Sequence, residues 1–123
     1  MTDIPAMVVL VVDDDPQLRQ SVQWTLEDEG LQVHVAADGG EAVRQATRAR
    51  PALVVLDHGL PDTRGEAVVA ELRRQCGDRL PIVLITGDGR AQEKAAEVGA
   101  FAYLHKPFDL EDLVAIVRRG LAA

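Results

Sequence analysis

Residues 8–15 read VVLVVDDD, and this segment decides how the rest of the chain is interpreted. Five apolar residues run directly into three carboxylates, which is typical of a buried strand that emerges at the edge of a sheet. If later runs of this kind are parallel strands of the same sheet, their polar ends share the edge where open α/β sheets bind ligands. Three such runs follow: residues 53–56 before Asp57, 81–85 before Thr86, and 101–104 before His105 and Lys106.

Helical patterns alternate with these runs. Leu18, Val22 and Leu26 recur at helical spacing after the first run, and another short strand is predicted at residues 32–36. Five strand–helix units predict an α/β fold, a (βα)5 doubly wound parallel five-stranded sheet with helices on both faces. The second strand alternates in polarity and the fifth is short, as edge strands are, so the predicted strand order is 2-1-3-4-5.

The size and composition fit one domain. We expect residues 1–123 to form a single domain, with no output domain visible. The net charge of −7 and the presence of only four aromatic residues argue against direct nucleic-acid binding, which needs a basic face and stacking platforms. The single cysteine, Cys76, excludes an internal disulfide, and the longest apolar run, residues 6–12, is too short to span a membrane. A cytoplasmic location without membrane contact is the expectation.

Several polar side chains are expected to begin helices rather than to take part in chemistry. Asp15 precedes a proline, as an N-cap precedes proline at the first helical position. Asp38 and Thr63 each have a glutamate three residues later, which is the spacing of a capping box. These assignments reduce the number of carboxylates available for a functional site.

The predicted sheet edge collects groups that suit phosphoryl chemistry. Carboxylates held a few ångströms apart repel one another, and a bound divalent cation removes that repulsion. Magnesium prefers a few carboxylate oxygens together with waters and a substrate phosphate. Lys106 can neutralise phosphoryl charge, the Thr86 hydroxyl can donate a hydrogen bond, and an aspartate can accept the group as an acyl phosphate. The simpler explanation, that loops after strands collect Asp and Thr, is adequate for one strand end but not for four.

These residues occur in the order and spacing of a known family. The chain resembles the response-regulator receiver domain, the CheY-like family with its flavodoxin-like fold, along essentially its whole length. Each matching segment is weak alone, but together, in this order and on these strand ends, the segments are highly specific. They are VVDDD at 11–15, VLD at 55–57 with LPD at 60–62 and Gly65, ITG at 85–87, and YLHKPF at 103–108.

The resemblance implies a role for each site residue. Asp57 is the phosphoacceptor and receives its group from a phosphohistidine of a partner kinase. Asp14 and Asp57 bind magnesium directly, with manganese able to take its place. Asp13 acts on the metal through a water, and the backbone carbonyl of Gly59 completes the protein ligands. Lys106 holds the phosphoryl oxygens, and the peptide bond that follows it is expected to be cis.

The resemblance also implies a switch and its readout. Thr86 and Tyr103 form the switch pair: the hydroxyl turns toward the phosphate, the ring moves inward, and the face of the fourth helix, fifth strand and fifth helix reports the change. Trp24, predicted on the solvent side of the first helix, and Phe101, before the switch tyrosine, are candidate partner contacts. Asp88 either caps the fourth helix or influences the water that attacks the acyl phosphate.

The implied partners are proteins. A sensor histidine kinase or a histidine phosphotransfer protein supplies the phosphoryl group, and a downstream protein or a removed output domain reads it. The domain is not an enzyme in the usual sense, because it catalyses only its own phosphorylation and dephosphorylation. Two alternative functions fit these residues less well. An aspartyl-phosphate phosphatase generally needs a second acid where this chain has Gly59, and a flavodoxin-like cofactor module needs a glycine-rich phosphate loop in place of residues 13–15.

Overall fold

The computed structural model describes residues 7–122. It contains a five-stranded parallel sheet in the order β2-β1-β3-β4-β5, so the predicted fold class and strand order are confirmed. Each strand is followed by a helix. The strands are β1 (Val8–Val12), β2 (Gln32–Ala36), β3 (Leu53–Asp57), β4 (Ile82–Thr86) and β5 (Ala102–His105). The helices are α1 (Pro16–Asp28), α2 (Gly39–Ala49), α3 (Gly65–Cys76), α4 (Ala91–Val98) and α5 (Leu110–Ala122).

Apolar side chains cover both faces of the sheet. β3 and β4 are buried along their whole length, whereas β2 and β5 have partly exposed positions, as predicted for edge strands. Leu10, Leu56 and Leu84 lie in the layer beneath α2, α3 and α4, and Val11 and Val55 lie in the layer beneath α1 and α5. Truncating a buried leucine typically costs about 2–5 kcal/mol of stability, so these layers fix the strands that carry the site.

The register brings the strand ends level with one another. Asp57, the last residue of β3, lies beside Ile85 of β4, and Thr86, the last residue of β4, lies beside His105 of β5. Val12, the last residue of β1, lies beside the residue that precedes Asp57. The segments that follow β1, β3, β4 and β5 therefore meet at one edge of the sheet, which is here called the carboxyl edge.

The starts of α1 and α2 confirm two of the predicted caps. The Asp15 carboxylate accepts the backbone N–H of Gln17 at 3.0 Å, and that of Asp38 accepts the N–H of Glu41 at 2.8 Å. The longest helices, α1 and α5, have 13 residues each. Within residues 7–122, none of the helices combines the length and apolar character needed to cross a membrane.

The capping box predicted at Thr63 is wrong. α3 begins at Gly65, so Arg64 takes the N-cap position, and its side chain makes no capping hydrogen bond. Packing explains the difference, because Thr63 lies against the start of α2. A Cβ atom built on Gly39 would be only 2.3 Å from Thr63 Cγ2, so the loop before α3 packs closely against α2.

Candidate functional site

The carboxyl edge gathers most of the residues predicted for the site. Asp13 and Asp14 follow β1, Asp57 ends β3, Thr86 ends β4 and Lys106 follows β5. The sequence places these residues far apart, and the parallel register brings them to one edge. The edge is therefore rich in oxygen atoms, with an ammonium group at one side.

Three carboxylates meet in a crevice of this edge. Asp13, Asp14 and Asp57 each contribute an oxygen atom, and these three oxygens all lie within 4.8 Å of one another. Asp13 and Asp57 are buried, while Asp14 is exposed. Local backbone holds one oxygen of each buried carboxylate: Asp13 Oδ1 accepts the N–H of Asp15 at 2.9 Å, and Asp57 Oδ1 accepts that of Gly59 at 3.1 Å.

Lys106 supplies the positive charge of the crevice. Its Nζ lies 3.3 Å from Asp57 Oδ2 and 3.7 Å from Asp13 Oδ2. Its backbone N–H donates to the carbonyl of Thr86 at 2.8 Å, which ties the residue to the end of β4. The peptide bond to Pro107 is cis, as expected. One ammonium faces three carboxylates, so a net negative charge remains.

Burial raises the pKa of one carboxyl group in the crevice. Burial, reinforced by the charge of Asp57, raises the pKa of Asp13 from 3.8 to about 6, although the Asp15 N–H and the Lys106 ammonium act in the opposite direction. A divalent cation would relieve this repulsion. Carboxylate and carbonyl oxygens are the ligands that magnesium prefers, so the donor groups of the crevice fit that ion.

The space above Asp57 is open on one side. A Cβ atom built on Gly59 would lie 3.8 Å from Asp57 Oδ1, at an ordinary van der Waals distance, so a side chain at this position would project beside the carboxylate. Glycine leaves that side free. The crevice is consequently accessible to a group that approaches Asp57 from solvent.

Thr86 and Tyr103 lie on one face of the sheet. Tyr103 pairs in register with Leu84, two residues before Thr86, so the two side chains are diagonal neighbours on adjacent strands. Thr86 is buried, and its Oγ1 accepts the N–H of Asp88 at 3.1 Å. The Tyr103 side chain, in contrast, is 41% exposed.

The contacts of Asp88 bear on one of its two expected roles, that of capping α4. Arg90 occupies the N-cap position of α4, so Asp88 does not cap this helix in the usual way. Its carboxylate instead accepts the backbone N–H of Arg90 at 2.9 Å and lies 2.9 Å from Nζ of Lys94 in the first half of α4. The side chain of Asp88 thus joins the loop after β4 to α4.

The candidate partner contacts lie away from the carboxylates. Trp24 is 59% exposed on α1, on the solvent side as predicted. Phe101 is 42% exposed and lies just before β5, at the opposite edge of the sheet from Asp57. The structure therefore keeps both aromatic side chains outside the crevice and presents them on separate surfaces.

The side chains of Asp62 and Arg73 are among those that link different elements without having been predicted from the sequence. The Asp62 carboxylate accepts the backbone N–H groups of Gly39 and Gly40 at the start of α2, at 2.9 and 3.0 Å. Arg73 of α3 donates to the carbonyls of residues 98 and 99 at the end of α4, both at 2.7 Å. The pair of glycines at the start of α2 was the one available signal, since glycine permits a close approach.

Comparisons with known proteins agree with this architecture. The family model described as "Response regulator receiver domain" matches residues 9–118. Response regulator MprA of Mycobacterium leprae is 41% identical over 114 residues, which are 91% of this chain and 50% of that protein. Transcriptional regulatory protein PrrA of the same organism is 40% identical, over 99% of this chain and 55% of that protein. The chain thus spans about half the length of these relatives.

Solved structures give the same result. A putative response regulator from Chloroflexus aurantiacus has a TM-score of 0.88 at 33% identity, covering 97% of this chain and 100% of the other. Chemotaxis protein CheY4 of Vibrio cholerae has a TM-score of 0.85 at 35% identity, covering 94% and 98%. The chain therefore belongs to the response regulator receiver domain family, whose general function is phosphoryl-acceptor signalling in two-component systems.

Proposed function

We propose that this domain accepts a phosphoryl group on Asp57 and uses it to switch a protein-binding surface. One observation carries the proposal: oxygens of Asp13, Asp14 and Asp57 lie within 4.8 Å of one another, with the Lys106 ammonium 3.3 Å from Asp57. Phosphoryl transfer needs positioning and charge stabilisation more than covalent machinery, and this arrangement offers both.

The nucleophile in this proposal is a carboxylate oxygen of Asp57. It attacks the phosphorus of a phosphohistidine, a new O–P bond forms as the donor P–N bond breaks, and the imidazole leaves and is reprotonated by solvent. Asp57 Oδ1 accepts the N–H of Gly59 at 3.1 Å and Oδ2 accepts from the Lys106 ammonium at 3.3 Å, so both oxygens are held in place and each keeps a lone pair for attack. Lys106 then stays beside the transferred group and neutralises part of its charge.

Magnesium is the proposed cofactor, with manganese as a substitute. Asp14, Asp57 and the backbone carbonyl of Gly59 would hold the ion, and Asp13 would act on it through a water. When bound, the ion supplies positive charge that offsets the repulsion between the phosphoryl oxygens and the acidic crevice. Three carboxylates around one ammonium support a cation at this position, and the charge of Asp57 adds to the burial that raises the pKa of Asp13 to about 6.

Thr86 and Tyr103 are the proposed switch. A phosphoryl oxygen on Asp57 gives the buried Thr86 hydroxyl an acceptor, and the hydroxyl turns toward it. The half-exposed ring of Tyr103, a diagonal neighbour on the same face, then moves inward. The change is read on the surface formed by α4, β5 and α5. Phosphorylation shifts this equilibrium only by its different interaction energy with the two states.

The proposed donor of the phosphoryl group is a sensor histidine kinase or a histidine phosphotransfer protein. The proposed downstream partner, which responds to the phosphorylated domain, is another protein or an attached output domain. Response regulators interact with sensor kinases and output domains, and this chain spans about half the length of its matched relatives. The net charge of −7 favours protein partners over direct contact with nucleic acid or an anionic membrane. We propose residues 1–123 as one receiver domain that works in the cytoplasm.

The direct test is intact-mass measurement after incubation with magnesium and acetyl phosphate. We expect wild-type protein to gain one phosphoryl group, and Asp57→Asn to gain none. Chelation by EDTA should abolish the adduct in wild type, because the crevice then repels the donor. An adduct that persists in Asp57→Asn would place the phosphoacceptor elsewhere. The absence of an adduct in wild type, together with no response to beryllofluoride, would overturn the proposed function.

A further inference from the structure

The loop from residue 58 to residue 64, here called the β3–α3 loop, carries the Gly59 carbonyl of the proposed metal site. At its start, the His58 N–H donates to the carbonyl of Ile85 at 2.8 Å. Within the described chain, residues 60–63 make no backbone–backbone hydrogen bond, and α3 has no side-chain N-cap to fix the end of the loop. Side-chain contacts therefore hold this segment, and one of them is the burial of Leu60 in the core.

Asp62 provides the polar attachment of the loop. Its two carboxylate oxygens accept the N–H groups of Gly39 and Gly40, at 2.9 and 3.0 Å. These N–H groups have no partner within α2, and the helix dipole favours a carboxylate there. The two bonds hold the pKa of Asp62 below its usual value. The contact is close, since a Cβ atom on Gly39 would lie 2.3 Å from Cγ2 of Thr63 and 2.9 Å from Cγ2 of Val68.

The start of α2 is also connected to Asp13, on the other side of the crevice. β2 ends at Ala36, three residues before α2, and the Ala36 carbonyl accepts the backbone N–H of Asp13 at 3.1 Å. A chain of contacts thus connects Gly59 through Asp62 to the start of α2, and from there to Asp13. The two walls of the crevice, after β1 and after β3, are joined by this connection.

We infer that Asp62 is a positioning residue for the metal and phosphoryl crevice. Its hydrogen bonds to the start of α2 hold the Gly59 carbonyl at a fixed distance from the carboxylates that follow β1. Groups that orient metal ligands from outside the coordination sphere typically change metal affinity by about 10–100-fold when mutated. This inference rests on the proposed function, because it concerns the metal ligands named there.

The test compares manganese affinity among variants of the full chain, measured by electron paramagnetic resonance of free Mn²⁺. We expect Asp62→Ala to weaken Mn²⁺ binding by about tenfold. Asp62→Asn keeps one oxygen acceptor and is expected to fall between wild type and Asp62→Ala. Phosphorylation by acetyl phosphate should recover at saturating metal, since Asp57 and Lys106 are untouched. Asp62→Asn also serves as the informative variant if Asp62→Ala does not fold.

Asp38→Ala is the matched control. Asp38 caps the same helix through Glu41, at 2.8 Å, but belongs to the segment before α2 and not to the β3–α3 loop. If Asp62 merely stabilises α2, Asp38→Ala weakens Mn²⁺ binding as much as Asp62→Ala, and the inference is wrong. Wild-type Mn²⁺ affinity in Asp62→Ala or Asp62→Asn overturns it as well. A wild-type protein that binds no Mn²⁺ contradicts the proposed metal site itself, so the two failures are distinguishable.

Discussion

Asp13 is only 3% exposed, and burial, reinforced by the charge of Asp57, raises the pKa of its carboxyl group from 3.8 to about 6. In the unfolded chain this group ionises near its ordinary value, so between these two pH values the unfolded state has already lost a proton that the folded state keeps. Stability therefore falls as pH rises through this window. At about 1.4 kcal/mol per pKa unit, the loss above pH 6 is on the order of 3 kcal/mol.

We therefore predict that Asp13→Asn stabilises the metal-free protein. In EDTA at pH 8, the free energy of unfolding in urea should rise by about 1–3 kcal/mol, because the amide removes the buried charge while its oxygen still accepts the Asp15 N–H. The gain should disappear toward pH 4. Asp78→Asn, at an exposed position outside the crevice, is the control and should change little. Equal stability of Asp13→Asn and wild type at pH 8 would contradict the prediction.

Trp24 is another single residue with a testable role, because its exposed side chain is a candidate contact for the partner kinase. Exposed tryptophan side chains are frequent anchors of protein interfaces. We predict that Trp24→Ala lowers the rate of phosphotransfer from the partner kinase by about tenfold, which corresponds to about 1.4 kcal/mol of lost contact. Phosphorylation by acetyl phosphate should not change. Phe101→Ala, on another exposed surface, should leave phosphotransfer from the kinase intact. Equal rates for Trp24→Ala and wild type would show that Trp24 does not contribute to kinase binding.

At the scale of elements, α4 is a short helix that depends on its neighbours. It has eight residues, no side-chain N-cap hydrogen bond and no basic residue in its last turn. Arg73 of α3 supplies the missing cation by donating to the carbonyls of Val98 and Gly99, both at 2.7 Å. Cations at a helix C-terminus are stabilising because they face unpaired carbonyls and the negative end of the dipole.

We predict that Arg73→Ala loosens α4. Amide hydrogen exchange in α4 should become faster, and the free energy of unfolding should drop by about 1.5–3 kcal/mol, the range for hydrogen bonds to charged groups. Arg74→Ala is the matched control, because Arg74 is exposed and pairs with Glu71 of its own helix. The prediction fails if α4 exchanges at the wild-type rate in Arg73→Ala, or if Arg74→Ala has the same effect.

Elements also show where sequence reasoning succeeded and where it failed. The spacing of apolar runs predicted the strands, and local spacing predicted the caps at Asp15 and Asp38. The same local argument failed at Thr63, because packing against Gly39 took the place of a capping bond. Asp62 and its partners are 22 and 23 residues apart in the chain, so the two glycines at the start of α2 permit a close approach but do not identify Asp62 as the residue that makes it.

At the scale of the whole molecule, the sequence predicts which residues lie at the carboxyl edge. It does not predict the distances between their side chains. Four runs that end in polar residues are sufficient to place Asp13, Asp57, Thr86 and Lys106 at one edge, given a parallel sheet. Whether the Lys106 ammonium reaches Asp57, and whether Tyr103 faces solvent, depends on side-chain torsions that only the packed structure determines. The burial that raises the Asp13 pKa is likewise a property of the assembled edge.

The proposed switch is a property of the whole molecule, and a single residue can report it. The chain has one tyrosine, so selective isotope labelling gives one ring signal, from Tyr103. We predict that magnesium with beryllofluoride shifts this signal and protects the ring from a soluble paramagnetic agent, because the ring, now 41% exposed, moves inward as Thr86 turns toward the phosphoryl mimic. Asp57→Asn should abolish both changes, and Thr86→Ala should weaken the protection. If beryllofluoride binds wild type and the ring stays as exposed as before, Tyr103 is not part of the switch.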